Sequence, residues 1–356
     1  MINVTKSYLP PLGEFNKYLE RIWDSNWLTN QGPLSKTLED ELMHYLELSN
    51  IQVTCNGTMA LQLAIRALEL KGEVITTPYS YVATTNSILW ENCIPRFADI
   101  DSTTYCIDPT EIENAITDST SAILATHVYG IPCDIEAIET IAEKYHLKVI
   151  YDGAHAFGVK VSGKSIFNFG DISSLSFHAT KLFHTVEGGA LVTNSEELSR
   201  KIELLKTFGH RYDVYSTLGI NGKMSEVHAA MGLSILPHIN EIISSRKQVT
   251  LKYQDCLNKQ NIRLLTIPEN VEYNYAYFPI FFESEKTALK VKSELNEANI
   301  FPRRYFFPSL NTLPFVAGQE CPISETSAKS VLSLPLYHDL SGSAIEMICS
   351  IINKFA

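Results

Sequence analysis

Between about residue 35 and residue 240, segments with apolar residues at helical spacing alternate with short strand-like runs. No other feature of the chain constrains its fold as much. LSKTLEDELMHYLEL (34–48) reads as a helix, and TMALQLAIRALEL (58–70) repeats the pattern after the turn CNG. EVITTP is a short strand stopped by Pro78, and TTNSILWEN is a helix. PTEIENAI, DIEAIETIAEKYH and SEELSRKIELLKTFG continue the helical series, with AILATHVYG, KVIYDGA, SSLSFHA and GALVTN as intervening strands. Repeated β–α alternation predicts an α/β fold, a mainly parallel sheet covered by helices. In such sheets ligands gather at the carboxyl ends of the strands. SILPHINEIISSRKQVTLKYQDCL (234–257) predicts a long helix broken near Pro237 that carries the chain into a second unit. There YAYFPIFFES and TALKVKSELNEANI suggest an α+β cap. The expected division is a large domain over 1–240 and a small one over 241–356.

Bulk properties narrow the partners. The 356 residues are 45% apolar, enough for a large core. With 29 basic against 40 acidic side chains and no Lys/Arg-rich run, neither nucleic acid nor an anionic membrane is an expected partner. MINVTKSYLPPLG lacks a basic segment followed by an apolar one, and no stretch approaches the ~20 apolar residues of a membrane span. A cytoplasmic protein is the expectation. Seven scattered cysteines without CxxC spacing suggest neither disulfides nor a zinc site. His178 and His184, six residues apart, do not share a helical face, so no metal is expected.

The chemistry-bearing residues fall at strand ends. Neither G-x-x-x-x-G-K-[ST] nor a strand-following G-x-G-x-x-G is present, so NTPases and Rossmann dehydrogenases lack their phosphate loop. CNGTMALQLAIRAL instead sets Gly57 and Thr58 at a helix start, where free amides and the helix dipole favour an anion. Its plain structural alternative is a turn and an N-cap. VIYDGAHAFG closes an apolar strand on Asp152 and brings His155 three residues on; an N-cap and a satisfied core histidine are the alternatives. TPYSYVATTN offers Tyr79 and Tyr81 as ring faces, or as packing. SFHATKLFHTVEGG sets Lys181 between two strands, where a cleft would make it a nucleophile rather than a surface charge. An imine-forming lysine, a carboxylate for a pyridine nitrogen, an aromatic face and a phosphate cradle are together what pyridoxal 5′-phosphate requires.

These motifs resemble the DegT/DnrJ/EryC1/StrS family of sugar aminotransferases, of fold type I. The likeness runs from WLTNQGPLSKTLEDEL (27–42) through CNGTMAL, TPYSYVATTN, THVYGIPCDIEAI, DGAHAFG, SFHATKLFHTVEGG and GINGKMSEVHAAMG to SLPLYH. It implies a large domain with a mainly parallel seven-stranded sheet between helices, plus a small α+β C-terminal domain. By position, Lys181 would form the imine and Asp152 would pair with the pyridinium nitrogen. Tyr81 would stack on the ring, and His155 would lie near the ring hydroxyl. Gly57, Thr58, Met59 and Ser176 would hold the phosphate. Asn221 would reach the phosphate of the neighbouring subunit, which implies a homodimer with shared active sites.

The resemblance also implies a nucleotide-linked keto-6-deoxyhexose as acceptor, dTDP-4-keto-6-deoxyglucose foremost, aminated at C4 with L-glutamate as donor. Relatives that aminate C3 carry the same motifs, and a non-catalytic binding or regulatory protein on this fold is the alternative from another class. A sugar dehydratase with histidine at the imine position is disfavoured by Lys181. Arg303 and Arg304 in NIFPRRYFFPSLN could meet a diphosphate or carboxylate, or could be surface charge. One departure stands out: Gly222-Lys223 follows Asn221 where the family commonly has an aromatic-basic pair, which predicts extra space there.

Overall fold

The structure is a computed structural model that describes residues 1–356. Seven strands form the central sheet: β1 (Ile51–Thr54), β2 (Glu73–Thr76), β3 (Ile94–Phe97), β4 (Thr120–Thr126), β5 (Lys148–Asp152), β6 (Ile172–Ser176) and β7 (Gly189–Val192). Their order is β1-β7-β6-β5-β4-β2-β3. β7 runs antiparallel to both neighbours, and every other pairing is parallel. This is the fold-type I arrangement that the motifs imply.

The central strands β4 and β5 carry apolar residues on both faces, as a sheet sandwiched between helices requires, and β6 gives one buried apolar residue to each side, Leu175 and Ile172. In β4, Ile123 and Ala125 enter a core of 52 buried residues, while Ala122 and Leu124 enter a second cluster of 16 on the opposite side. The helices over these faces include α1 (Leu12–Ser25), α2 (Pro33–Leu46), α3 (Gly57–Ala67), α4 (Ala83–Trp90), α5 (Pro109–Ala115), α6 (Ile135–Tyr145), α7 (Glu196–Leu205) and α8 (Glu226–Ile235). Side chains of Asn56, Asp108, Asp134, Ser195 and Ser225 accept from amides of the first turns of α3, α5, α6, α7 and α8.

Register aligns the carboxyl ends. Thr126 at the end of β4 lies opposite Asp152 at the end of β5, and Asp152 lies opposite Ser174 of β6. The break at Pro237 is present as a short 3₁₀ turn, Leu236–His238, between α8 and α9 (Ile239–Cys256). Beyond it, β8 (Ile262–Leu264), β9 (Pro279–Phe282) and β10 (Val331–Ser333) make an antiparallel sheet. A separate core of 21 buried residues, all between Val249 and Ile352, lies with these strands and with α10 (Glu285–Glu297) and the carboxyl-terminal helix Gly342–Phe355. The extreme amino terminus joins this later part: Ile2–Asn3 pairs in parallel with Ile300–Phe301.

Several elements lie outside the alternation read from sequence, among them β1, β3, α8 and α1. β1 (IQVT) and β3 (IPRF) break their apolar runs with Gln52 and with Pro95 and Arg96, whereas the equally short β2 and β7 do not. The 14-residue α1 follows a Pro-Pro pair and is exposed except at Ile22 and along its half-buried apolar stripe. No helix is long and apolar enough to cross a membrane. All seven cysteines are free.

Candidate active site

The carboxyl ends of β4, β5 and β6 set the floor of the site. Asp152 ends β5 with only 5% of its surface exposed. One carboxylate oxygen accepts from the Thr84 hydroxyl at 2.8 Å and the other from the Ala154 amide at 3.1 Å. Thr84 lies in the first turn of α4, and its hydroxyl also meets Ser80 Oγ at 2.8 Å, to which Thr126 donates at 3.2 Å. A row of buried hydroxyls therefore leads from β4 to the carboxylate. Burial pushes Asp152 above the ordinary carboxylate range, opposed by the Ala154 amide, the Thr84 hydroxyl and the charge of Lys181. Two donors leave a buried carboxylate short of the partners an anion requires.

Lys181 stands on the connection between β6 and β7. That loop is closed by backbone bonds from Phe177 to Gly188, Ala179 to Val186 and Thr185 to Phe177, at 2.8–2.9 Å. The chain's own amino terminus braces it, for Ser7 Oγ donates to the Ala179 carbonyl at 2.6 Å and His184 Nε2 meets the Tyr8 carbonyl at 2.8 Å. Nζ of Lys181 donates to the Tyr277 hydroxyl at 3.3 Å. Gly153, Ala154, His155, Ser176, Lys181 and Tyr277 share the walls of one cleft.

His155 is 4% exposed, accepts the Tyr129 amide on Nδ1 at 3.3 Å and stacks on Phe306 at 5.1 Å. Burial holds its imidazolium form well below the usual histidine range, and the charges of Lys181 and His127 push the same way. The ring is neutral at physiological pH. Of the two tyrosines in TPYSYVATTN, Tyr79 is fully buried with its hydroxyl 2.7 Å from that of Tyr129, while Tyr81 is 60% exposed at the start of α4. Only Tyr81 has a ring face free.

A cradle stands at the start of α3. Asn56 Oδ1 accepts the Met59 amide at 2.8 Å, so the cap takes one of the amides expected to face an anion and leaves those of Gly57 and Thr58 ahead of it. A Cβ on Gly57 would stand 2.8 Å from Ser176 Cβ and 3.1 Å from its Oγ, which sets the helix start against the end of β6. Gly189 allows the same close approach from the other side, since a Cβ there would lie 2.6 Å from the Asn56 carbonyl carbon.

The remaining candidates divide. Asn221 is exposed, and its backbone bridges to Thr207. The extra space expected beside it is absent within the chain. A Cβ on Gly222 would meet Leu63, Lys206 and Met59 at 3.2–3.3 Å, and the Gly222 backbone bonds Cys55 and Lys206. Glycine is there because the backbone packs tightly. Arg304 is occupied by Glu285 at 2.8 Å and the Lys329 carbonyl at 3.1 Å, with its guanidinium 3.4 Å from the centre of the Phe307 ring. Arg303 is exposed beside Tyr305.

Sequence reading passed over Tyr277, Thr84 and the two residues that fix the segment carrying Tyr277. Asn274, 1% exposed, donates to the carbonyls of His155 and Phe157 at 2.9 and 3.0 Å. Arg246 on α9 donates to the carbonyls of Tyr275 and Ala276 at 2.9 and 2.6 Å. Thr84 stands inside the TPYSYVATTN motif, and its position three residues after Tyr81 was the available signal.

The chain matches the DegT/DnrJ/EryC1/StrS aminotransferase family over residues 12–353 and belongs to that family. It is 45% identical over 361 residues to the dTDP-4-amino-4,6-dideoxy-D-glucose transaminase of Shigella dysenteriae, covering 99% of this chain and 98% of that one. To the transaminase of the same name from Escherichia coli it is 41% identical over 366 residues, at 99% and 98% coverage. The crystal structure of DesI in the presence of its TDP-sugar product superposes with a TM-score of 0.95 at 31% identity, over 99% of this chain and 92% of that one.

Aminotransferases of this family depend on pyridoxal 5′-phosphate, and the residues present fit that group. A buried carboxylate short of donors suits a protonated ring nitrogen, and the glycine-lined helix start beside Ser176 suits a phosphate.

Proposed function

We propose that the protein transfers the amino group of L-glutamate to dTDP-4-keto-6-deoxyglucose, giving dTDP-4-amino-4,6-dideoxyglucose. The observation that supports this reading is the full-length likeness to two transaminases named for that amino sugar. When bound, the cofactor supplies a carbonyl that amines attack and a protonated ring that draws electron density from the carbon beside the transferred nitrogen.

The chain's residues then have separate tasks. Lys181 Nζ would hold the cofactor, and as a free amine it would take a proton from the donor carbon and return one. Asp152 keeps the ring nitrogen protonated, and the hydroxyl row behind it fixes the carboxylate. Neutral His155 serves as a hydrogen-bond partner near the ring hydroxyl rather than as a charge. Tyr81 covers one ring face. The Gly57 and Thr58 amides and Ser176 Oγ would hold the phosphate, while the Met59 amide is already taken by the Asn56 cap.

The active unit is a homodimer in the cytoplasm, with Asn221 completing the partner's phosphate site. Support comes from the run before Asn221, where Phe208, Tyr212, Val214, Tyr215, Leu218 and Ile220 all expose apolar surface. Residues 1–240 form the cofactor-binding domain and 241–356 the small domain, which the amino-terminal strand joins to the first. Arg303 remains available to the acceptor, whereas Arg304 serves the small domain.

Incubation with dTDP-4-keto-6-deoxyglucose and glutamate, followed by NMR of the product, tests the reading. An amine at C4 is expected. Amination at C3, or an unchanged sugar, contradicts it.

A further inference from the structure

We infer that Tyr277 is the residue that aims the Lys181 amine, fixing the direction of its lone pair for proton transfer. This rests on the reading of Lys181 given above and adds to it a partner supplied by the segment that follows β8.

The geometry is specific. The Tyr277 hydroxyl accepts from Lys181 Nζ at 3.3 Å, and no other side chain donates to or accepts from that hydroxyl. The ring cannot drift. It meets His155 edge-on at 5.0 Å and Tyr305 at 6.0 Å and 87°, and lies 5.7 Å from Tyr129. Its backbone is held from two directions: Asn274 ties it to the loop after Asp152, and Arg246 ties it to α9. Arg246 is 7% exposed and Asn274 1%, so both clamps sit away from water, where a lost hydrogen bond is costly.

Lysine is otherwise a poor positioning group, because four rotatable bonds let its amine wander. An acceptor that takes one N–H confines the remaining N–H bond and the lone pair. In the transfer step the Nζ lone pair takes a proton from the donor carbon and the amine becomes an ammonium. The Tyr277 hydroxyl keeps its own proton and its hydrogen bond throughout. Its contribution is orientation, and small misplacements of a reacting atom cost large factors in rate.

Tyr277→Phe removes the hydroxyl and leaves the ring contacts. The variant is expected to melt like the parent and to reach the same half-saturation with cofactor. After cofactor is added to cofactor-free protein, its visible band should develop roughly tenfold more slowly, and kcat should fall roughly tenfold with KM for glutamate unchanged. Tyr277→Gln, which restores an oxygen acceptor, should recover part of both rates and also covers the case of a Phe variant that does not fold. Parental band kinetics and kcat in the Phe variant would overturn the inference. So would a fall accompanied by weaker cofactor binding, or a Gln variant no faster than Phe. Lys181→Ala, run alongside, separates the two readings: if it keeps the band and turnover, the lysine assignment itself is wrong.

Discussion

A carboxylate that is 5% exposed and receives only two hydrogen bonds is an unstable arrangement without a cation, and Asp152 is in that position. Its folded-state pKa is raised, so ionising it opposes folding in the cofactor-free protein. The penalty is absent at low pH, where folded and unfolded states both carry the proton. It grows as pH rises past the ordinary carboxylate value, and is complete above the raised one. Asp152→Asn removes the ionisation. The difference in unfolding free energy between the cofactor-free variant and parent should therefore shift in the variant's favour between pH 4 and pH 7, as read from urea melts. A difference independent of pH would remove Asp152 from this position. In the loaded enzyme the same change should lower kcat by about 10²-fold or more, because a neutral ring is a weaker electron sink. At this scale the sequence was informative about identity and silent about support. Asp152, His155 and Lys181 stand at motif positions, whereas Thr84, Tyr277 and Asn274 contact them from 68, 96 and 119 residues away, and Arg246 acts only on the segment that carries Tyr277. Nothing in local pattern announces a contact between residues 68 or 96 apart.

Two helix starts carry much of the site's architecture. At α3, Gly57→Ala would bring a Cβ to 2.8 Å from Ser176 Cβ and push the helix start off the end of β6. Cofactor half-saturation should rise roughly tenfold while the fold persists, since a backbone shift of a few tenths of an ångström disturbs amides aimed at phosphate. Titration of cofactor-free protein checks this, and unchanged affinity would argue for a phosphate site elsewhere. At α2, the cap comes from far away. Glu226, 1% exposed, accepts the Leu34 amide at 2.7 Å and the Ser35 amide at 3.0 Å. Glu226→Ala leaves both amides unpaired in the interior and should cost roughly 2–4 kcal/mol of stability in chemical denaturation. This bond explains why two motifs far apart in sequence, WLTNQGPLSK and GKMSEVH, belong together. The strand–helix alternation was legible because both faces of β4 and β5 are apolar and the helices are capped by Ser, Asp or Asn. The interrupted strands β1 and β3 and the half-exposed α1 carry too weak a pattern to read.

The whole molecule brings its amino-terminal segment and a segment of its later half to one lysine. The amino-terminal segment pairs with Ile300–Phe301, passes its carbonyl at Val4 to Leu336, and ends on the loop that carries Lys181. The segment carrying Tyr277 approaches from the opposite side of the chain. Both join the small core to the cofactor cleft, so neither half is an independent catalyst on this account. A homodimer extends the same logic. Proteins carrying Lys181→Ala or Asn221→Ala should each be weakly active, yet mixing them should restore up to roughly a quarter of parental turnover, because a mixed dimer regains one native site. Strict absence of recovery after subunit exchange would contradict shared sites. The proposed dimer rests on family likeness, since composition and periodicity carry no information about a second copy.

Reduction of the cofactor-loaded protein with borohydride, followed by peptide mass spectrometry, tests the central claim most directly. The pyridoxyl phosphate mass is expected on the peptide containing Lys181 and on no other lysine. Its appearance elsewhere, or on no peptide at all, would contradict it.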